Sequence, residues 1–510
     1  MRTSATVLRD SAERWGDRTA LVQGERSWTY AQLDRAADGY AAHLLATGLA
    51  PGDRVTLFSE NRWEWVAAYH GIARAGGVVN PVNAMLTTPE VTQIVQDCRP
   101  TALVGSGACL ERALPAVAGL DSCRTVVSFD PVDPAGADGV VQVDLSSSLA
   151  LPGLPVRSDD ELFSIAYTSG TTGVPKGAMQ SGTSVLLNWA YTASMHVRTG
   201  DDIVVTALPL PHVYGNAAVN SVLMVGGTVV LEQRFDAQRV LELVARHRAT
   251  MVEGVPAMYS MLLDRLASQP TDFSSITRCT VGGQTISESV VERWEAATGA
   301  PLLELWGMTE ISGLGTTHAA YAPTVRGSIG VALPGTDVRV ATFADAAVEA
   351  ADGDLGELMV RGPLVTMGYF GNDAATDELI EADGWLHTGD VARREGAHFF
   401  VVDRRKDMIL TGGYNVYPAE IERVLSGHPD VALVGVGRVD DDRLGEVAHA
   451  FVVAADGVVP DVDQILAFAR EHLAPYKIPK AVHVVPGIPT TTSGKIKRRE
   501  LVVPAQEMSE

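Results

Sequence analysis

The stretch YTSGTTGVPKG at residues 167–177 decides how the rest of the chain is read. Ahead of it, Leu162-Phe163-Ser164-Ile165-Ala166-Tyr167 is an apolar run suited to a buried strand, and residues 184–195, SVLLNWAYTASM, read as a helix. The sequence therefore predicts a loop of small residues between a strand and a helix. Gly170 and Gly173 permit backbone angles closed to other residues and leave no side chain in a ligand's way. Thr168, Ser169, Thr171 and Thr172 add hydroxyl donors, and Lys176 adds an ammonium. Amides, hydroxyls and a cation gathered in one loop suit a phosphate chain. A Walker A loop needs Gly, four residues, Gly-Lys and then Ser or Thr. Here Pro175 stands five positions after Gly170 and Lys176 precedes a glycine, so the spacing fails. The competing reading is a polar Gly/Thr surface loop.

At 510 residues the chain exceeds what one hydrophobic core supports, so at least two domains are expected. Hydrophobic residues make up 46% and charged residues 20%, an ordinary globular composition. A net charge of −22 argues against general affinity for nucleic acid or an anionic membrane, which need a basic footprint. Cys98, Cys109, Cys123 and Cys279 have neither CxxC spacing nor a histidine pattern nearby, which points to buried thiols in a reducing cytoplasm rather than disulfides or zinc. The first residues lack a signal-peptide core, and the apolar region at 219–231 is broken by Asn220, Ser221 and a glycine pair. A cytoplasmic chain without an integral membrane span is expected.

Residues 1–160 alternate amphipathic helical patterns (30–45, 65–76) with short apolar runs (54–58, 78–82), as parallel α/β layers do. Gly105-Ser106-Gly107-Ala108-Cys109-Leu110 lacks the third glycine of a dinucleotide fingerprint and reads as a strand end. Residues 130–158, rich in Pro, Gly, Asp and Ser, read as a surface connection. Strands are expected at 203–207, 228–231, 250–252 and 279–281, and a smaller β-rich unit at 355–361 and 398–403. Beyond Asp403 the pattern is helix 418–425, strand 431–436, strand 446–453 and helix 462–472. The predicted fold is α/β: a large N-terminal domain (1–402) of layered subdomains with a β-rich unit, and a small mobile α+β domain (403–510).

Several segments carry candidate chemistry, each with a plainer local reading. Leu208-Pro209-Leu210-Pro211-His212-Val213-Tyr214-Gly215 can be a turn with a packed histidine. Val281-Gly282-Gly283-Gln284 ends a strand with two glycines, which lets a planar ring lie on the backbone, but a plain turn fits equally. Trp306-Gly307-Met308-Thr309-Glu310 can be ordinary packing beside a glycine, and Asp403-Arg404-Arg405-Lys406-Asp407 a solvated charge run. Asp390 ends a tight turn at 384–390. The basic run at 489–499 resembles an exposed tail on local grounds.

Taken together and in this order, these segments resemble the motifs of the adenylate-forming superfamily: acyl-CoA synthetases, peptide-synthetase adenylation domains and beetle-type luciferases. The resemblance runs from Tyr167 to Arg499 and implies ATP, Mg²⁺ and CoA as cofactors and a small carboxylic acid as substrate. It assigns Thr168, Ser169, Gly170, Thr171, Thr172, Gly173 and Lys176 to the phosphates, Gly282, Gly283 and Gln284 with Trp306, Gly307 and Met308 to the nucleotide, and Thr309 to the α-phosphate. Glu310 would hold Mg²⁺, which takes few protein carboxylates and keeps several waters. Asp390 would bind the ribose hydroxyls, Arg404 ribose or phosphate, and Lys406 in the 403–407 hinge would be the pivot. Gly412, Gly413 and Tyr414 would flank the CoA arm, and Lys495 in SGK would be the adenylation lysine. His212, Val213, Tyr214, Gly215 and Asn216 would line the acid pocket, and Lys495, Glu310, Thr168 and His212 would be the catalytic residues. Amino-acid-activating relatives carry an aspartate where His212 stands, so an acid without an α-amino group is favoured.

The implied activity is acyl-CoA synthesis through acyl-AMP. The run at 216–219 and WGMTE lean towards a medium- or long-chain fatty acid, with a benzoate- or cinnamate-like acid as the near alternative. A luciferase-like monooxygenase, an acyl-AMP ligase serving a carrier protein and a non-catalytic nucleotide binder are the remoter readings. A homo-oligomer is left open.

Overall fold

A computed structural model of the chain describes residues 3–131, 140–143, 155, 157–168, 175–441, 443–455, 457–490 and 496–503. Its first sheet starts from the decisive stretch. The strand Leu162–Thr168 lies parallel to Val78–Asn83, which continues to Arg54–Ser59, Ala102–Gly105, Thr125–Ser128 and Val140–Gln142. Helices cover these parallel strands, so the strand sequences are runs of Val, Leu, Ile and Phe rather than alternations. At Gly105 the chain leaves its strand, and Ser106 leads directly into the helix Gly107–Val117.

One local expectation is corrected here. After the 169–175 loop comes a strand, Lys176–Ser181, antiparallel to Leu162–Thr168, and only then the helix Gly182–Met195. The two strands pair as far as Thr168 and Lys176. Gly177 and Ala178 have poor strand propensity, and tertiary packing decides the outcome. A Cβ at Gly177 would meet Ile165 Cγ2 at 2.7 Å and the Tyr167 ring at 3.0 Å, so the missing side chain admits its cross-strand neighbours.

A second sheet, nine-stranded among the described residues, runs from Val331–Ala332 through Gly313–Thr317, Leu302–Met308, Cys279–Val281, Met251–Gly254, Ile203–Thr206 and Thr228–Leu231 to the edge pair Thr19–Gln23 and Arg26–Thr29. Its inner strands are parallel. Between the two sheets lies the largest core, holding Trp65, Tyr69, Trp189, Leu210, Tyr214 and Leu305. An antiparallel unit of Asp337–Ala341, Gly356–Arg361, Leu386–Glu395 and His398–Arg404 follows, the β-rich unit expected from the sequence.

The chain leaves that unit at Arg404, passes the short helical turn Arg405–Asp407, and enters a third architecture at Ile409. There Tyr414–Val416, Ile409–Thr411, Gly445–Ala454 and Val431–Asp441 form a sheet, and Ala481–Val484 pairs with Gly445–Ala454. Helices Pro418–Leu425 and Val462–His472 contribute Ile421, Leu425, Ile465 and Ala469 to its own core. The molecule is α/β, with a large N-terminal domain of several sheets and a small C-terminal α+β domain. The four cysteines are unpaired, with Cys98, Cys109 and Cys279 buried. No helix among the described residues is long and apolar enough to cross a membrane.

Candidate active site

Parallel strands end where ligands bind in open α/β sheets, because loops there diverge and helix N-termini point inward. The candidate residues gather at such ends. Thr168 closes the Leu162–Thr168 strand, and Gly282-Gly283 follow Cys279–Val281. Val281 pairs with Glu304 on the neighbouring strand, so the 282–284 and 306–309 segments run side by side. Gly282 has to be glycine, since a Cβ there would collide with the Leu305 side chain. Gly307 sits where a Cβ would strike the Gly313 carbonyl, allowing the hairpin Leu302–Met308/Gly313–Thr317 to close tightly.

Beyond Met308 a single turn, Thr309–Ile311, aims Glu310 inward. Glu310 is 7% exposed, and its Oε1 accepts a hydrogen bond from the Tyr369 hydroxyl at 2.8 Å. The same Tyr369 ring receives the Lys176 ammonium at 5.1 Å from its centroid, a cation–π contact. Burial and the adjacent Glu310 carboxylate push the Tyr369 phenol well up, which keeps it a neutral donor. Gln180 Nε2 donates to the Thr309 carbonyl at 2.9 Å, tying the hairpin strand to the acidic turn. The end of the Gly/Thr loop and the acidic turn are therefore one site, joined through Tyr369.

Asp390 is the second organised acid. It is 2% exposed and accepts from Trp306 Nε1 at 2.7 Å and from Arg404 Nε at 2.6 Å. Its backbone N–H bonds Thr388 Oγ1 at 3.0 Å. Trp306 is thus both wall and anchor, which the segment WGMTE did not disclose by itself.

His212 caps the helix Val213–Val225, its Nδ1 accepting from the Tyr214 N–H at 3.3 Å. Tyr214 is buried and its hydroxyl pairs with Thr280 Oγ1 at 2.8 Å, on the strand that leads to Gly282. Burial drives that phenol well above its ordinary value. Val213 and Gly215 pack at the helix start, where a Cβ at Gly215 would collide with the Pro209 carbonyl. One turn further, Asn216 Oδ1 accepts from Trp189 Nε1 at 3.0 Å and from the Tyr69 hydroxyl at 3.5 Å. Another turn on, Asn220 Oδ1 takes His70 Nε2 at 2.9 Å.

Gly412 and Gly413 form the tip of the hairpin Ile409–Thr411/Tyr414–Val416, with φ of +55° and +86°. Two positive φ values suit a two-residue hairpin turn, and they require glycine or asparagine. A Cβ at Gly413 would meet nothing within 4 Å, and Tyr414 beside it is exposed and stacked on Tyr476 at 4.6 Å. Lys406 lies in the Arg405–Asp407 turn between the two domains. Ser169, Gly170, Thr171, Thr172, Gly173 and Lys495 fall outside the described residues. Sequence reasoning missed Tyr369 and Gln180. Tyr369 stands between two glycine-bordered turns in TMGYFGN and carries no distinguishing signal of its own.

Comparison with known proteins places these observations. Residues 8–370 match the family model "AMP-binding enzyme", and residues 420–495 match "AMP-binding enzyme C-terminal domain". The chain is 37% identical to a feruloyl-CoA synthase from an Amycolatopsis species, over 95% of each chain. It is 32% identical to a long-chain-fatty-acid–CoA ligase from Bacillus subtilis strain 168, over 98% of this chain and 94% of the other. The crystal structure of ATP-bound MatB from Rhodopseudomonas palustris superposes with a TM-score of 0.87 at 30% identity, over 97% of both chains.

Proposed function

We propose, from the premise that the chain belongs to the AMP-binding enzyme family and is an AMP-forming acid–CoA ligase, that its acid is a compact aryl carboxylic acid without an α-amino group. The observation that carries the acid class is the stitched face of the Val213–Val225 helix. His212, Asn216 and Asn220 follow one another at helical spacing, and the last two are bonded to Trp189, Tyr69 and His70. A long alkyl chain running inward along this face would separate buried hydrogen-bonded pairs, each costly to break without a replacement. A flat ring stopping near His212 leaves them intact. Ala217, Ala218 and Val219, the run behind the fatty-acid leaning, are committed to the core.

In the first half-reaction a carboxylate oxygen bonds to the α-phosphorus of ATP, and the bond to the bridging oxygen breaks to release pyrophosphate. Like-charged reactants make positioning and charge stabilisation the main task. Lys176 and the 168–173 loop cradle the phosphates, Thr309 meets the α-phosphate, and Lys495 neutralises the developing charge. Asp390 holds the ribose hydroxyls beside Arg404, and Gly282, Gly283 and Gln284 receive the adenine beside Trp306. Glu310 supplies one hard carboxylate oxygen, a donor that fits Mg²⁺ with phosphates and waters completing its shell; bound there, the ion would screen the phosphate charge. In the second half-reaction the small domain turns about Lys406 and presents Gly413 to the CoA arm. The thiol loses its proton, its sulfur bonds to the acyl carbon, and AMP leaves. The free cysteines accord with a reducing, cytoplasmic setting.

The test is pyrophosphate release and thioester mass spectrometry across benzoic, cinnamic, indolic, fatty and amino acids, with ATP and Mg²⁺. Preference for an aryl acid by kcat/KM supports the assignment. Preference for an acyl chain of eight or more carbons (on the order of 10 Å extended) would overturn the acid class and leave the ligase reading standing.

A further inference from the structure

The described ends of the basic run, residues 489–490 and 496–498, are built into the fold rather than left in solvent. Thr490 bridges to Ile496, and Lys497 N–H bonds the Pro489 carbonyl at 2.9 Å. Ile496, Ile488 and Leu501 rest on Gly435, where a Cβ would come within 3.3–3.4 Å of each. The guanidinium of Arg498, 18% exposed, then makes a fork onto Glu422, Nε to Oε1 at 3.0 Å and Nη2 to Oε2 at 2.7 Å. Its Nη1 reaches Asp403 Oδ1 at 3.3 Å and Asp407 Oδ2 at 3.1 Å. Asp403 and Asp407 are the two ends of the 403–407 hinge, and Glu422 belongs to the small domain's first helix.

Each carboxylate is itself fixed. Asp403 Oδ2 accepts from the Ala419 N–H at 2.7 Å, and Glu422 Oε1 accepts from the Val436 N–H at 2.8 Å. Arg404, next to Asp403, is the residue paired with Asp390 at 2.6 Å. A continuous set of charge-assisted contacts therefore joins Asp390 to the base of the tail. One cation serves three carboxylates, so its removal would leave mutually repelling anions in a largely enclosed place.

We propose that Arg498 is a positioning residue that fastens the chain just beyond Lys495 to both ends of the hinge and to Glu422, so that where the hinge sits sets where the tail begins. The proposal rests on the reading of Lys495 as the adenylation lysine. A planar fork meets these partners where a lysine's point charge would serve only one or two.

The test compares Arg498→Met, Arg498→Lys, Glu422→Gln and Lys495→Ala in the full-length enzyme. Three quantities are read: pyrophosphate release without CoA, thioester formation from supplied acyl-AMP, and hydrogen exchange of peptides covering 488–503. Arg498→Met should slow pyrophosphate release about a hundredfold, the scale of an ångström's misplacement, spare thioester formation, and speed exchange in 488–503. Arg498→Lys should restore part of the rate. Glu422→Gln keeps the acceptor for Val436 and should show the same split in milder form, which covers an Arg498→Met that fails to fold. Faster exchange with unchanged pyrophosphate release, or equal losses in both half-reactions, would overturn the proposal while a slow Lys495→Ala kept the lysine's reading. Wild-type pyrophosphate release by Lys495→Ala would overturn both.

Discussion

Replacing Tyr369 by phenylalanine isolates one interaction of the proposed metal-and-phosphate site. The ring would keep its contacts with Ala178 and Ala375 and its place under the Lys176 ammonium. Only the hydroxyl that donates to Glu310 Oε1 at 2.8 Å would be lost. A hydrogen bond to a charged partner contributes about 1.5–3 kcal/mol net, and the lower end of that range sets the least loss expected of this buried pair. At about 1.4 kcal/mol per factor of ten, adenylation should slow at least about tenfold. Because Glu310 would lose the donor that orients it, the Mg²⁺ concentration for half-maximal rate should rise as well. The assay is rapid-quench pyrophosphate release at saturating ATP and acid over a Mg²⁺ series, beside thioester formation from supplied acyl-AMP, which should be unchanged. An unaltered rate with an unaltered Mg²⁺ requirement would refute the role given to this pair.

Asp390→Asn keeps an acceptor for Trp306 Nε1 but removes the charge facing Arg404; the KM for ATP should rise about tenfold to a hundredfold, and a KM within twofold of wild type would count against ribose binding there. Gly413→Asn introduces a side chain that tolerates the observed φ of +86°, so it should slow thioester formation while leaving acid-dependent pyrophosphate release intact; unimpaired CoA turnover would sink the assignment. Burial pushes the Glu304 carboxyl up from 4.5 to about 8. A raised carboxyl contributes stability that is complete below pH 4.5 and is lost as pH climbs to 8, at most about 5 kcal/mol for a shift of this size. Glu304→Gln should therefore unfold at a higher temperature than wild type at pH 9 and at a similar one at pH 4, and parallel curves across that range would contradict the shift.

The small domain was the most legible part of the chain. Its helices Pro418–Leu425 and Val462–His472 match the spans read from sequence, because proline or aspartate marks each start and apolar residues recur at helical spacing. The strand Lys176–Ser181 escaped notice, since KGAMQS holds neither β-branched nor aromatic residues and forms only where Ile165 and Tyr167 overlie Gly177. The partners of Asp390 and Glu310 were equally hidden. Trp306, Arg404 and Tyr369 meet them through tertiary folding, and no local pattern announces a contact between segments so far apart in the chain. Arg498 read as part of a solvated tail because its three carboxylates lie in other segments.

The most direct test of the central claim separates the two half-reactions in one sample. Enzyme, ATP, Mg²⁺ and an accepted aryl acid are mixed without CoA, quenched for acyl-AMP, and chased with CoA in a parallel aliquot. Two-step ligation predicts acyl-AMP and pyrophosphate in equal amounts before the chase, then conversion of that acyl-AMP to thioester with release of AMP. Thioester appearing only when all substrates are present together, with no acyl-AMP formed beforehand, would contradict it.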